Sequence, residues 1–372
     1  MQDDTGSLRR GERRLSRRGF VRGAALAGAG ALAAACAPSA VPAAPAQPAA
    51  PVQPAAPAKA PAAAAPAAPT PLDYGIISPS ATSWGAYIME AKGFLAREGI
   101  KGEMTLTRTS ANGMAALVAP DGLQIFANAT DPVIRAVEQG VDVVMVGGCA
   151  EHPAYSVIAH PSISSMADLA GKKVAVSGPK ETSITFFRRL FIHYGVPLDS
   201  IEFISVGTTP ERYAAIKAGA AQATILSQPN DFQAYSEGFH PIAQIAEILP
   251  VYQFTAWVVT RNWARGHEDL LVRFLRAHAD ALRWVNDPAN KEEAITILSE
   301  GAKFEERFAR QTYDLYMGEM KGRVLPQDGT LSLPGLQAVL DVMADLGEFE
   351  GQRLPSPEKY VDQSYLQKAL QG

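Results

Sequence analysis

Beyond residue 71 the sequence predicts an α/β protein of two similar lobes with a helical C-terminal extension. Three observations predict it. Between residues 73 and 260, short apolar runs alternate with amphipathic stretches, the pattern of βαβ units around a mostly parallel sheet. The stretches 116–125 and 215–224 share one plan: a helix end, a turn, then a glutamine (Gln124, Gln222) leading into a strand. After Thr260 the strand signals stop and only helical periodicity remains.

The elements follow in order. Strands are expected at 73–77, 104–107, 123–126, 141–146, 155–159, 173–177, 201–205, 223–226, 242–245 and 256–260. Helices are expected between them at 84–98, 112–118, 132–139, 184–194, 210–218 and 231–237. The extension reads as helices at 268–285, 291–299, 304–319, 334–346 and 357–369. The stretch from Leu72 to Gly372 is long enough for two lobes with cores of their own.

The first 71 residues read differently. Ser16-Arg17-Arg18-Gly19-Phe20-Val21-Arg22 resembles a twin-arginine export signal. Residues 23–35 form an apolar stretch of the length of a signal core and too short to span a bilayer. Leu32-Ala33-Ala34-Ala35-Cys36 resembles a lipobox, in which Cys36 is acylated and becomes the new N-terminus. Each buried acyl methylene contributes about 0.8 kcal/mol, so more than one chain on Cys36 holds a domain at a membrane. A signal peptide cleaved without lipidation is the alternative. The segment 36–71 is almost entirely Ala and Pro after Cys36, with nothing to bury. In extended polyproline geometry it reaches on the order of 100 Å, a tether for an anchored domain.

The formal net charge is −4, and removal of the arginine-rich leader leaves a more acidic product. That balance, without a basic stripe, argues against nucleic acid as a partner. The two cysteines, Cys36 and Cys149, lie in different regions and exclude a disulfide framework. No Gly-x-Ser-x-Gly elbow, Walker-type loop or dinucleotide fingerprint occurs beyond the leader. Cys149-Ala150-Glu151-His152 lacks a second pair at ligand spacing, so Cys149 is read as a buried structural thiol rather than half of a dyad or metal site. No cofactor, metal or catalytic residue is expected.

Three passages carry a family resemblance. Residues 91–100 (Ala-Lys-Gly-Phe-Leu-Ala-Arg-Glu-Gly-Ile), 163–176 (with Asp168-Leu169-Ala170-Gly171-Lys172-Lys173-Val174) and 361–366 resemble the solute-binding proteins of the nitrate, sulfonate, taurine and thiamine-pyrimidine type. The likeness spans nearly all of 72–372. It departs where Gln124 and Gln222 stand in place of the family's frequent aspartates. The resemblance implies a two-lobe periplasmic-binding-protein fold of type II, crossed twice by the chain. Lobe 1 would take 72–160, lobe 2 161–250, and 251–372 would return to lobe 1 and add the C-terminal helices.

In open α/β sheets ligands bind beyond the carboxyl ends of the strands. That rule nominates Ser83 and Trp84 after the first strand, with Trp84 either stacking on a planar ligand or sitting in the core. It also nominates Thr109 and Asn112 after the second strand, and Asn128 and Thr130 after the third. In lobe 2 it selects Ser177, Lys180, Thr182 and Ser183, where free backbone N–H groups at a helix start suit an anion and ordinary capping competes. Gln228 closes a lobe 2 strand, and Tyr252 lies at the return crossing. Arg108 is the nearest candidate for a lobe 1 anion clamp, against the reading of a solvated edge residue.

The resemblance implies a non-enzymatic, monomeric, membrane-anchored receptor that hands a small organic ligand to an ABC permease. The ligand classes are thiamine-pyrimidine-like or aromatic compounds, sulfonates and carboxylates. The alternatives are a thiamine-pyrimidine synthase on the same fold, whose cysteine-rich metal motif this chain lacks, and a sensory binding protein.

Overall fold

The computed structural model describes residues 68–320 and 323–372. The expected signal at 1–35, Cys36 and the tether up to residue 67 lie outside the described residues. The fold begins two residues before Leu72, because Thr70 and Pro71 already pair with Ile100 and Lys101.

Chain order gives β1 (Thr70–Ile76), α1 (Trp84–Ala91), α2 (Phe94–Arg97), β2 (Ile100–Leu106), α3 (Ser110–Val118), β3 (Ile125–Ala129), α4 (Thr130–Glu138) and β4 (Val143–Ala150). The chain then crosses at 151–154 into β5 (Tyr155–Ala159), β6 (Lys173–Val176), α5 (Thr182–His193), β7 (Glu202–Ser205), α6 (Thr209–Lys217), β8 (Ala223–Ser227), α7 (Asn230–Ser236), β9 (His240–Gln244) and α8 (Ile245–Ile248). A second crossing at 249–254 returns it to β10 (Thr255–Thr260). Helices α9 (Arg261–Gly266), α10 (Glu268–Asn286), α11 (Lys291–Ala302), α12 (Glu306–Tyr313), α13 (Leu333–Asp345) and α14 (Ser364–Gln371) complete it.

Two five-stranded sheets result, ordered β2-β1-β3-β10-β4 and β7-β6-β8-β5-β9. In each, four strands run in one direction and the fourth place in the order holds the single antiparallel strand, which has just crossed from the other sheet: β10 in the first, β5 in the second. Strand β5 therefore belongs to the second sheet, and the change of lobe falls at 151–154 rather than at 160. The alternation of apolar runs could not reveal this, because β5 is equally apolar in either sheet.

Other departures have local causes. The helix expected at 84–98 breaks at Gly93, which adopts a left-handed conformation (φ 63°) between α1 and α2. The strand expected at 141–146 runs on through Gly147, Gly148 and Cys149, held by β10. The helix expected at 304–319 becomes α12 followed by a π-helical turn at Asp314–Glu319.

The repeated glutamines have matching structural roles. Gln124 Oε1 accepts from Asp73 N (2.5 Å) at the start of β1's parallel partner, and Gln222 Oε1 accepts from Lys173 N (3.0 Å) at the same place in the other sheet. Each backbone N–H also donates to the same neighbour's carbonyl, at 2.9 Å in both lobes. A longer amide thus reaches the neighbouring strand's N–H. Gln222→Ala is expected to cost about 1 kcal/mol in urea unfolding, the net worth of one hydrogen bond.

The first core is built on Tyr74, Trp257 and Phe274, whose rings meet edge to face at 4.9–5.9 Å under α10. The second is built on Phe187 and Phe191 stacked along α5 at 5.7 Å, with Phe203 of β7 against both.

Candidate functional site

The lobes enclose a cavity of about 80 Å³ beyond the carboxyl ends of β1, β3 and β6. From lobe 1 it is lined by the Ser78–Ser83 loop, Arg108 and Ser110, and from lobe 2 by Ser177, Glu181–Ser183 and Arg212.

Arg212 supplies the buried charge. Helix α6 starts in a capping box between Thr208 and Glu211, and its buried face repeats at Thr209, Arg212, Tyr213 and Ile216. That spacing carries Arg212 inward, where it is 3 % exposed. Its Nη1 donates to Ser177 Oγ (2.5 Å) and the Gly207 carbonyl (2.8 Å). Its Nη2 donates to Thr209 Oγ1 (3.1 Å) and the Ile225 carbonyl (2.9 Å), and Nε also points at Ile225 O. Burial lowers the pKa, opposed by Tyr155, Glu181 and Glu211. A guanidinium starts so high that it stays charged at neutral pH.

The saturated guanidinium acts through its neighbours. Ser177 and Thr209 accept from Arg212, so their own protons remain to donate into the cavity. Ser183 Oγ accepts from Ser177 N (2.8 Å) and keeps its proton likewise. Ser110 Oγ and Thr255 Oγ1 are buried on the cavity wall without a partner among the described residues. Buried hydroxyls without partners are uncommon, and here they face a cavity where a ligand would satisfy them. Tyr155, Phe186 and Phe254 form an aromatic wall of the same cavity with ring centroids 5.4–6.1 Å apart.

Contacts between the lobes border this cavity. Glu181 of lobe 2 accepts from Ser110 N (3.2 Å) and Ala111 N (3.3 Å) at the start of α3, a carboxylate on a helix N-terminus. Arg108 pairs with Glu211 across the rim. Asp131 of α4, fully buried, accepts from Thr182 Oγ1 (2.5 Å) and Thr185 Oγ1 (2.9 Å) of α5 and pairs with Arg135 (2.8 Å). Burial opposes the Arg135 charge, but Asp131 and Glu348 outweigh it and raise its pKa.

Of the residues nominated from sequence, Ser83, Arg108, Ser177, Thr182 and Ser183 line the cavity, with Arg108 held at the rim by Glu211. The others are occupied elsewhere. Trp84 lies in the lobe 1 core, fully buried, with Nε1 donating to the Ala294 carbonyl (3.0 Å) and its ring against Tyr313 and Tyr316. Thr109 caps α3 by accepting from Asn112 N, and Asn112 donates to the Thr107 carbonyl. Asn128 Oδ1 accepts from Ala129 N, and Thr130 donates to the Gln253 carbonyl (2.6 Å). Lys180 is exposed on an outer groove beside Arg135 and Glu348. Gln228 is buried between the lobes, where its carbonyl accepts from Ala81 N (3.0 Å). Tyr252 packs behind the aromatic wall, 5.7 Å from Phe186. Loop position selected these residues, whereas side-chain direction sent them into cores and caps.

Trp84→Phe is expected to cost about 1 kcal/mol in urea unfolding, for one lost hydrogen bond, and to leave ligand affinity unchanged.

Arg212, Ser110, Thr255 and the aromatic wall escaped the sequence reading. The inward spacing of Thr209, Arg212, Tyr213 and Ile216 was a usable signal for Arg212. The wall had none, since Tyr155, Phe186 and Phe254 come from three separate elements. Cys149 is buried and burial raises its thiol pKa. The ring of His152 is bonded to the carbonyls of Arg323 and Pro250 instead. Among the described residues no group of three or more His, Cys, Asp or Glu side chains could hold a metal ion, and no helix is long and apolar enough to cross a membrane.

The family described as NMT1/THI5 like matches residues 80–291, more than half of the chain. No curated protein matches. Solved structures do. A protein of Bordetella bronchiseptica RB50 superposes with a TM-score of 0.71 at 17% identity, over 81% of this chain and 97% of that one. The periplasmic nitrate-binding protein of Synechocystis PCC 6803 gives 0.67 at 16%, over 82% and 89%. The periplasmic aliphatic sulphonate binding protein of Escherichia coli gives 0.61 at 17%, over 79% and 92%. At these identities the likeness is one of fold, the two-lobe periplasmic-binding-protein architecture with helices at the C-terminal end.

Proposed function

We propose that this chain, which belongs to the NMT1/THI5-like family, is an extracytoplasmic solute-binding protein that captures a small organic solute with an oxyanionic head, a short sulfonate or carboxylate. The observation that carries this reading is Arg212, buried and fully bonded, which leaves the protons of Ser177 and Thr209 to donate into the cavity. A fixed positive charge behind a collar of donors favours an oxyanion without meeting it as an ion pair. The aromatic wall suits a short apolar body beside that head.

Size ranks the ligand classes. An apolar cavity that takes benzene measures roughly 150 Å³, and this one holds about 80 Å³. A short sulfonate or carboxylate therefore ranks ahead of a thiamine pyrimidine. Proteins of this fold that bind nitrate and aliphatic sulphonates support the same class. The cleft's polar groups suit holding a ligand rather than breaking a bond, so the reading is a receptor and not an enzyme.

The arginine-rich leader, Cys36 and the Ala/Pro tether support export and a lipid anchor, with an ABC permease receiving the solute at the membrane.

The test is a thermal-shift screen of the purified protein against methanesulfonate, ethanesulfonate, acetate, nitrate, bicarbonate and a hydroxymethylpyrimidine. At about 100 times Kd a ligand adds about 2.7 kcal/mol, a rise of a few degrees. A rise with the sulfonates or acetate supports the reading. A rise with the pyrimidine alone transfers it to an aromatic ligand, and no rise with any anion overturns the oxyanion class.

A further inference from the structure

Helix α3 of lobe 1 begins with two backbone donors whose acceptors lie in lobe 2. The first N–H groups of a helix have no partner within it. At α3, Thr109 Oγ1 accepts from Asn112 N (3.1 Å), which leaves Ser110 N and Ala111 N. Glu181 takes both, one carboxylate oxygen to each: Oε2 from Ser110 N at 3.2 Å and Oε1 from Ala111 N at 3.3 Å. Glu181 stands at the N-cap position of α5, yet its side chain makes no capping bond to its own helix. The carboxylate serves the helix of the other lobe.

The contact is part of the cavity wall. Ser110 and Glu181 both line it, and so do Thr182 and Ser183, the two residues that follow Glu181. We infer that Glu181 is the positioning residue that latches the lobes over the cavity: its carboxylate caps α3 across the cleft and holds the Thr182 and Ser183 hydroxyls of lobe 2 against the lobe 1 wall.

The energetics favour Glu181 over the other charged contact at the rim. Its two bonds are made only while the lobes meet, so they stabilise the closed arrangement and not the open one. A carboxylate also interacts favourably with the positive end of a helix, which offsets its repulsion of an oxyanion in the same cavity. Arg108 and Glu211 span the lobes in the reverse sense, but the Arg108 side chain is 64 % exposed. Exposed ion pairs contribute little.

The inference rests on the cleft reading for its ligand arm alone. Line broadening of the methyl proton signal of methanesulfonate reads its dissociation rate. That rate is expected to rise about tenfold in Glu181→Ala, equivalent to about 1.4 kcal/mol, the loss of two long charge-assisted hydrogen bonds. Glu181→Gln keeps one acceptor oxygen without the charge and should fall between wild type and Glu181→Ala. Arg108→Ala should raise the rate only about twofold.

A measurement without ligand uses Ala81, whose N–H donates to the Gln228 carbonyl across the lobes at 3.0 Å, a bond that does not involve Glu181. Hydrogen exchange at this amide follows the open fraction and should quicken about tenfold in Glu181→Ala. Unchanged Ala81 exchange overturns the latch. Slower dissociation in Glu181→Ala also overturns it, making the carboxylate a repulsive wall for the anion. Equal rises in Arg108→Ala and Glu181→Ala would move the latch to the rim pair. Should methanesulfonate not bind the wild type, the cleft reading fails separately and Ala81 exchange alone decides.

Discussion

Arg212→Met is expected to weaken binding of a short sulfonate by about 100-fold and to lower stability by about 2–4 kcal/mol. Two losses add. The carbonyls of Gly207 and Ile225 lose their charged donor inside the protein, and buried unsatisfied acceptors cost about 1–3 kcal/mol each. The hydroxyls of Ser177 and Thr209 lose the partner that turns their protons toward the cavity. Titration calorimetry at neutral pH reads the first effect and urea unfolding the second. Ser177→Ala separates them, because it removes one cavity donor and leaves the carbonyls bonded. A 100-fold loss in Arg212→Met with full affinity in Ser177→Ala would move the anion site away from the hydroxyl collar.

The second large effect is expected at Asp131. Asp131→Ala should cost about 3 kcal/mol in urea unfolding, the lower end of the roughly 3–5 kcal/mol for removing one partner of a buried ion pair. The lower end applies because Arg135 keeps Glu348 at 2.6 Å. The rest of the cost is the two hydroxyls of Thr182 and Thr185, which donate across the lobes to Asp131 and would lose their acceptor. Because Thr182 also lines the cavity, affinity should fall together with stability. Asp131→Asn, which keeps an acceptor for one threonine, should lose about half as much. Equal losses in the two variants would place the stabilisation in the Arg135 charge pair rather than in the inter-lobe hydroxyls.

The α/β class and the helical extension were legible in the sequence because they rest on local rules. Apolar alternation to Thr260 marked the strands, and its end marked the extension. The paired glutamines 124 and 222 were legible too, since a repeated plan in sequence became a repeated hydrogen bond at the start of β3 and of β8. Hydroxyls in a strand-to-helix loop led to Ser177, Thr182 and Ser183, which line the cavity.

What only the tertiary structure decided was direction and assignment. Trp84 and Tyr252, the aromatics nominated for the ligand, turned into cores, while Tyr155, Phe186 and Phe254 became the wall. A helix start or a crossing fixes where a side chain begins; packing against a second element fixes where it ends. The same holds for β5, whose sheet is chosen by pairing with β8 and β9. It holds for Arg212, whose charge is retained inside by oxygens of Gly207, Ile225, Ser177 and Thr209, drawn from three parts of the chain. Local sequence determines secondary structure because its rules act within a few residues. The site depends on long-range contacts that satisfy buried polar groups, and those exist only once both sheets are built.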